Sequence, residues 1–181
     1  MGGPPGGGAL LMKGPADQVR LIPGGGQESG RRGGTESAAL IAAFGAAAEA
    51  FPVRYHAAGV DALVADAEAG MKALAPEPML FGAASDRIGN VSNFAVPGLK
   101  NAVAMMGLDL LGLSVSSGSA CSSGKVGPSH VLDAMGVPGD LAGCALRLSL
   151  GWTSTKDDIE IYLKGFGEVV ARQMSRRGRA A

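Results

Sequence analysis

The sequence has few aromatic residues, no excess of either charge and no long apolar run. Aromatics make up 4% of the 181 residues, so a buried core must consist mostly of alanine, leucine, valine and methionine. The formal net charge is zero, which argues against general electrostatic binding of nucleic acid or of an anionic membrane. The basic segment from Arg172 to Arg179 is typical of a solvated terminus. No run approaches the roughly 18 apolar residues that a transmembrane helix needs.

Cysteine is also scarce, with two residues, Cys121 and Cys144, in the whole chain. Two cysteines make no disulfide framework, and these lack the CxxC spacing of a zinc site, so we expect no metal site. The opening residues, MGGPPGGGAL, do not show the charged start and apolar stretch of a signal peptide. These features favour a cytoplasmic protein in a reducing compartment.

Helical and strand patterns alternate along the chain, which indicates an α/β or α+β layered domain. Thr35 is expected to cap a helix that begins at the next residue and that Pro52 ends or kinks. Gly107 is expected to end a later helix, and Cys144 is expected to be a core residue. The predicted strands are residues 9–13, 79–81, 91–96, 113–115 and 146–150; the predicted helices are residues 36–50, 54–74, 100–106, 129–135 and 155–174.

The segment SSGSACSSG at residues 116–124 surrounds Cys121 with small and polar side chains. Such a segment has little to pack, so we expect a mobile, exposed loop rather than a buried structural cysteine. Exposure favours thiolate chemistry, and the positive charge of nearby Lys125 favours it further. From these residues alone two interpretations stay open: a reactive cysteine, or a small residue in a loop without a role.

Four blocks of sequence follow one another and together span nearly the whole chain. They are GGP…GAL at residues 2–10, GGGQESGRRGGTE at 24–36, SSGSACSSG with GPSHVL at 116–132, and LRLSLG at 146–151. In this order they resemble class I cysteine desulfurases of the nitrogen-fixation and iron–sulfur-cluster type, in the class V aminotransferase family. The resemblance implies the C-terminal domain of a fold-type I pyridoxal phosphate (PLP) enzyme at residues 46–181, with an edge of the large domain at 1–45.

The resemblance also implies a chemistry, because this family uses PLP to remove sulfur from L-cysteine, leaving L-alanine and a protein persulfide. Cys121 matches the nucleophile that accepts the sulfur. Arg147 matches the residue that binds the substrate's α-carboxylate, to which a guanidinium can donate two parallel hydrogen bonds. Thr35 matches a residue that contacts the cofactor phosphate of the other subunit in the family's homodimer. The implied protein partner is an iron–sulfur scaffold or another sulfur acceptor.

One part of the family pattern, the Ser-x-His-Lys stretch whose lysine holds the cofactor, does not occur in this sequence. By alignment of the motifs, that lysine would precede the glycines at the start of the chain. We therefore expect the chain alone to bind no cofactor covalently and to have no desulfurase turnover. Three interpretations stay open: a truncated or mis-started desulfurase, one half of a split desulfurase, and a non-catalytic module that binds a partner or relays sulfur through Cys121.

Overall fold

The computed structural model describes residues 2–14, 19–117 and 129–178. The chain divides into two compact units, Met1–His56 and Ala57–Ala181. Cys121 and Lys125 lie outside the described residues, so the exposed loop expected around them stays a prediction. The division at residue 45 between a large-domain edge and a small domain also stays a prediction.

The first unit opens with a glycine-rich segment. Residues 9–13, expected to form a strand, pair with no other strand in the described part of the chain, so that prediction is wrong. A strand without a partner leaves its backbone amides and carbonyls to be satisfied by water, which removes its advantage over coil. Further along, Gly24 and Gly33 pass so closely that a Cβ on Gly33 would lie 2.7 Å from the Cα of Gly24. Glycine permits this approach, and a side chain would prevent it.

One long helix, α1, covers Ala38–Ala57 of the chain. The hydroxyl of Ser37 caps it by accepting a hydrogen bond from the amide of Leu40, 3.4 Å away. The expectation that Thr35 caps this helix is therefore wrong. Pro52 lies inside the helix and does not end it, because the alanine-rich sequence around it has a strong helical propensity that outweighs the loss of one amide donor.

The second unit is built on a four-stranded sheet. Its elements are α2 (Val60–Leu74), β1 (Met79–Leu80), β2 (Val91–Ala95), α3 (Asn101–Asp109), β3 (Ser116–Ser117), α4 (His130–Ala134), α5 (Gly139–Ala142), β4 (Ala145–Ser149) and α6 (Lys156–Gly178). The strand order is β1-β2-β4-β3, and every neighbouring pair is antiparallel.

Several boundaries in this unit differ from the sequence predictions, and helix α5 has no counterpart in them; three of the differences have a clear physical reason. Helix α3 runs through Gly107, because α6 packs against that glycine: a Cβ there would lie 2.9 Å from Cγ2 of Val169. The strand expected at residues 113–115 begins at Ser116, where pairing with β4 starts. The helix expected from residue 54 begins only after Gly59, whose φ of 57° is incompatible with a continuous α-helix.

The sheet has two faces, because side chains alternate along each strand. On the face that we call the covered face, Phe94, Leu146 and Leu148 pack against α2, α3 and α6. Phe94 meets Phe166 of α6 edge to face, with the ring centroids 5.9 Å apart. This layer forms the main hydrophobic core of the unit.

The opposite face of the sheet carries both apolar and polar side chains. Side chains of α4 and α5 pack on its end at Ala95 and Ala145. Beyond that end, the strand register brings Asn93, Arg147 and Ser116 to the same side of the sheet. We call these three residues the polar face.

Helix α6 begins where the sequence predicts. Both the amide and the hydroxyl of Thr155 donate to Oδ2 of Asp158, at 2.8 and 2.9 Å. The backbone hydrogen bond from Thr155 is the main reason why the pKa of the Asp158 carboxyl lies below its ordinary value. Across the ranges that the structure describes, no helix combines the length and the apolar character needed to cross a membrane.

Candidate functional site

Arg147 lies at the centre of β4, and the alternation of that strand places it on the polar face. Its sequence neighbours Leu146 and Leu148 are 1% and 5% exposed, within the core of the covered face. Arg147 itself is partly buried. A regular strand, rather than a loop, therefore sets the starting point of its side chain, which gives the positional accuracy that a binding residue needs.

The register surrounds Arg147 with polar residues on both sides. Asn93 of β2 lies directly opposite it across one strand pair, and Ser116 of β3 lies directly opposite across the other. Residues paired in this way have their Cβ atoms roughly 5 Å apart. No described residue forms a hydrogen bond or an ion pair with the Arg147 guanidinium. Its five N–H donors are thus available to an anion from outside the sheet.

Asn93 was not singled out by the sequence, although it carries an unusual feature. Its Oδ1 atom is buried and accepts no hydrogen bond. Buried polar atoms are satisfied in the great majority of cases, so this one requires an explanation. The only signal in the sequence is an asparagine inside a predicted strand, a residue type that strands disfavour.

The segment that carries Cys121 is flanked along the chain by described residues of the second unit. Before it stands Ser117, the neighbour of Ser116 on β3. After it stands Ser129, a buried residue whose hydroxyl accepts a hydrogen bond from the Leu132 amide at the start of α4, as the sequence predicts. Three residues separate Ser117 from Cys121, so the two Cα atoms are four steps apart and at most about 14 Å from each other. Cys121 itself lies outside the described residues.

Cys144 is a buried residue, so the prediction that it belongs to the core is confirmed. It is 2% exposed and belongs to the cluster beneath α4 and α5. Its thiol lies 3.3 Å from the backbone oxygen of Asp140, to which it donates. Within the described ranges, no group of three or more His, Cys, Asp or Glu side chains is arranged to hold a metal ion.

Thr35 lies in the first unit, exposed, three residues before the first residue of α1. No described residue hydrogen-bonds to its hydroxyl. Just before it, a guanidinium nitrogen of Arg32 donates to the backbone oxygen of Gly34 at 3.0 Å, which holds the turn leading into Thr35. The amides at the start of a long helix carry a partial positive charge, so a hydroxyl here suits a phosphate.

Comparison with known proteins assigns the chain to a family. A profile of the aminotransferase class-V family matches residues 1–162. The chain belongs to the aminotransferase class-V family. Among its class-V relatives is cysteine desulfurase NifS of Azotobacter vinelandii, 36% identical over 171 residues, which are 93% of this chain and 42% of the relative. Cysteine desulfurase IscS of Clostridium botulinum is 37% identical over 179 residues, 96% of this chain and 45% of that protein. This class-V chain therefore spans less than half the length of these relatives.

Solved structures agree with this class-V assignment. A NifS-like protein from Rickettsia africae matches with a TM-score of 0.64 and 29% sequence identity, over 83% of this chain and 39% of that chain. The resemblance found in the four sequence blocks is confirmed. The expected α/β fold, that of part of a NifS-like enzyme, is confirmed as well.

Proposed function

We propose that this chain is the sulfur-accepting part of a PLP-dependent cysteine desulfurase. In the proposed reaction the Cys121 thiolate attacks the sulfur of L-cysteine. A sulfur–sulfur bond forms and the substrate's carbon–sulfur bond breaks. The electron pair of that bond stays on carbon, which takes up a proton and becomes the methyl group of L-alanine. The products are L-alanine and a persulfide on Cys121.

The observation that carries this proposal is the state of Arg147. It is partly buried, without a partner among the described residues, and lies beside the strand from which the Cys121 segment departs. An arginine held in a sheet and left unpaired suits a carboxylate, which it can bind through two parallel hydrogen bonds. Such binding would orient the amino acid with respect to the attacking thiolate.

The described residues fit one end of the cofactor. The exposed hydroxyl of Thr35 beside the start of α1 suits its phosphate, in the proposed homodimer that of the other subunit. No lysine in the chain directly follows a histidine, so the sequence offers no match for the lysine that binds the aldehyde carbon. When bound, PLP supplies an electron-withdrawing ring that stabilises negative charge on the substrate. Arg147 and Cys121 act on the substrate's carboxylate and sulfur.

The remaining parts of the proposal concern where the sulfur goes. In the proposal, the persulfide formed on Cys121 is passed to a second protein. The proposed acceptor is an iron–sulfur scaffold or another sulfur carrier, and the proposed location is the cytoplasm. The support for both is the similarity to the NifS and IscS relatives.

A chimaera tests the proposal. This chain replaces the matching part of the Azotobacter NifS relative, which supplies the remainder of the enzyme. With PLP and L-cysteine, we expect L-alanine to form and Cys121 to gain the mass of one sulfur atom. Cys121→Ser should abolish both. Cys144→Ser is the matched control and should abolish neither, because that thiol is buried.

Two results would overturn the proposal. One is a chimaera that shows the visible absorption of bound cofactor and forms no L-alanine. The other is persulfide formation that persists at full yield in Cys121→Ser. The unfused 181-residue chain, assayed in parallel, is expected to form no L-alanine, as the missing lysine motif predicts.

A further inference from the structure

We propose that Asn93 is a positioning residue for Arg147: its amide oxygen accepts a hydrogen bond from the guanidinium and sets the orientation in which Arg147 binds a carboxylate. The carboxylate is the α-carboxylate of an amino-acid substrate, so the inference rests on the proposed function. Nothing in the sequence motifs assigns a role to Asn93.

The strand register carries the first step of the argument. Asn93 and Arg147 are paired residues of β2 and β4, so their side chains leave the sheet on the same face. Both are partly buried, which restricts the directions that either side chain can take. Their neighbours Phe94 and Leu146 are 0% and 1% exposed on the covered face and hold the two strands in this register.

The second step of the argument concerns the hydrogen-bonding groups of Asn93 and Arg147. The buried Oδ1 of Asn93 is an acceptor with no donor. The guanidinium of Arg147 is a set of donors with no described acceptor. A buried carbonyl group without a partner is costly, and a hydrogen bond to a charged donor is among the stronger ones available to it. Arg147 is thus the cationic donor that the register brings to Asn93.

The guanidinium of Arg147 has enough N–H donors to bind a carboxylate and Asn93 Oδ1 at the same time. A guanidinium has five N–H groups, and a carboxylate bound through two parallel hydrogen bonds uses two of them. The three that remain can satisfy Asn93 Oδ1. The bond is absent from the ligand-free structure, so we place it in the carboxylate-bound state, where it would fix the rotation of the guanidinium plane on the ligand.

Ser116, on the other side of Arg147, does not compete for this role. A hydroxyl can both donate and accept, and its oxygen is not among the buried polar atoms that lack a partner in the described part of the chain. Its position two residues before residue 118 ties Arg147 to the start of the Cys121 segment instead.

The test measures carboxylate binding directly, on the 181-residue chain labelled with ¹⁵N. L-Alanine, the proposed product, is titrated while the Arg147 Nε–Hε resonance is followed by NMR. The resonance is identified by its loss in Arg147→Lys. L-Alaninamide, which lacks the carboxylate, is the ligand control. We expect a saturable shift with L-alanine and none with L-alaninamide.

Three variants then separate positioning from space filling. Asn93→Ala should bind L-alanine about tenfold more weakly, since it loses a hydrogen bond to a charged group. Asn93→Asp keeps the shape but brings a carboxylate that occupies the guanidinium, so it should bind more weakly still. Ser149→Ala, an exposed position two residues along β4, should bind as the unaltered chain does. Thermal melting checks that each variant is folded.

The outcomes distinguish the two proposals. If the unaltered chain shows the carboxylate-dependent shift and Asn93→Ala binds equally well, the role of Asn93 is overturned and the proposed function stands. If Asn93→Asp binds as tightly as the unaltered chain, Asn93 only fills space, which also overturns the inference. If the Arg147 resonance never responds to L-alanine, the substrate contact of the proposed function fails, and the role of Asn93 fails with it.

Discussion

The two faces of the sheet are made by the same strands and behave in opposite ways. On the covered face, Phe94 and Leu146 are almost fully buried and packed among helices. One residue along on each strand, Asn93 and Arg147 face the other side and have no hydrogen-bond partner for their key polar atoms among the described residues. Neighbouring residues on one strand thus serve different purposes.

The difference shows which side of the sheet stabilises the fold and which side is left for the proposed binding of a carboxylate. Apolar burial against helices favours the folded state by roughly 25 cal/mol for each square ångström removed from water. That contribution lets the opposite face keep Arg147, a cation without a partner among the described residues. A single shift of register by one residue would exchange the two faces, so the packing of the covered face also maintains the geometry of the polar face.

The largest test of this comparison is Phe94→Ala. Phe94 is 0% exposed and contacts the ring of Phe166, so we expect its loss to reduce the free energy of unfolding by about 3–5 kcal/mol. Urea denaturation followed by circular dichroism measures it. Asn93→Ala, one residue away on the other face, is the matched control and should cost much less. Equal losses at the two positions would contradict the division between the faces.

A partly buried ion pair, Arg87 with Glu68, provides a second test of the covered side. The two terminal guanidinium nitrogens of Arg87 donate to the two carboxylate oxygens of Glu68 on α2, at 2.7 and 2.8 Å. Glu68 is 8% exposed, so Arg87→Gln would leave a carboxylate with little water. We expect a loss of about 1–3 kcal/mol in the free energy of unfolding, because the Arg87 end of the pair is partly hydrated.

The same pair predicts a pH dependence. The hydrogen bond from Arg87 lowers the pKa of the Glu68 carboxyl below its ordinary value of 4.5, against the opposing effect of burial. The stabilisation is therefore present above the unfolded-state pKa and is lost as the pH falls through the folded-state pKa. Urea midpoints should fall more steeply below about pH 4.5 in the unaltered chain than in Arg87→Gln.

An exposed ion pair provides the control for this experiment. Arg172 and Glu168 on α6 lie 3.4 Å apart, with side chains 68% and 42% exposed. Arg172→Gln should change the free energy of unfolding by less than about 0.5 kcal/mol. It should also leave the decrease in urea midpoint at acidic pH as it is in the unaltered chain. A loss as large as that of Arg87→Gln would mean that burial of Glu68 is not the cause.

An equally small effect on stability is expected for Arg147→Ala. With no described partner for its guanidinium, Arg147 should contribute less than about 0.5 kcal/mol to the free energy of unfolding. Leu146→Ala, the adjacent position on the covered face, should cost about 2–5 kcal/mol. A strongly destabilised Arg147→Ala would assign Arg147 a structural role and weaken its assignment to carboxylate binding.

Most of the fold could be predicted from local sequence. The strand around Val91 and Phe94, the helix that Ser129 caps and the closing helix after Thr155 all have local signals, in apolar pattern or capping residues. One of the errors has its cause in a residue far away along the chain. Gly107 was expected to end a helix, yet it lies inside α3. A glycine stands there because Val169 of α6 occupies the space that a side chain at residue 107 would take.

The candidate site divides in the same way. The sequence by itself determined the family and singled out Cys121, Arg147 and Thr35 as the residues proposed to carry its chemistry, since motifs are strings of neighbouring residues. Only the tertiary structure decided that Arg147 emerges on the polar face between Asn93 and Ser116. These residues are distant along the chain, and backbone hydrogen bonds between antiparallel strands bring them together. The unpartnered oxygen of Asn93 follows from that pairing and from burial, which no local pattern contains.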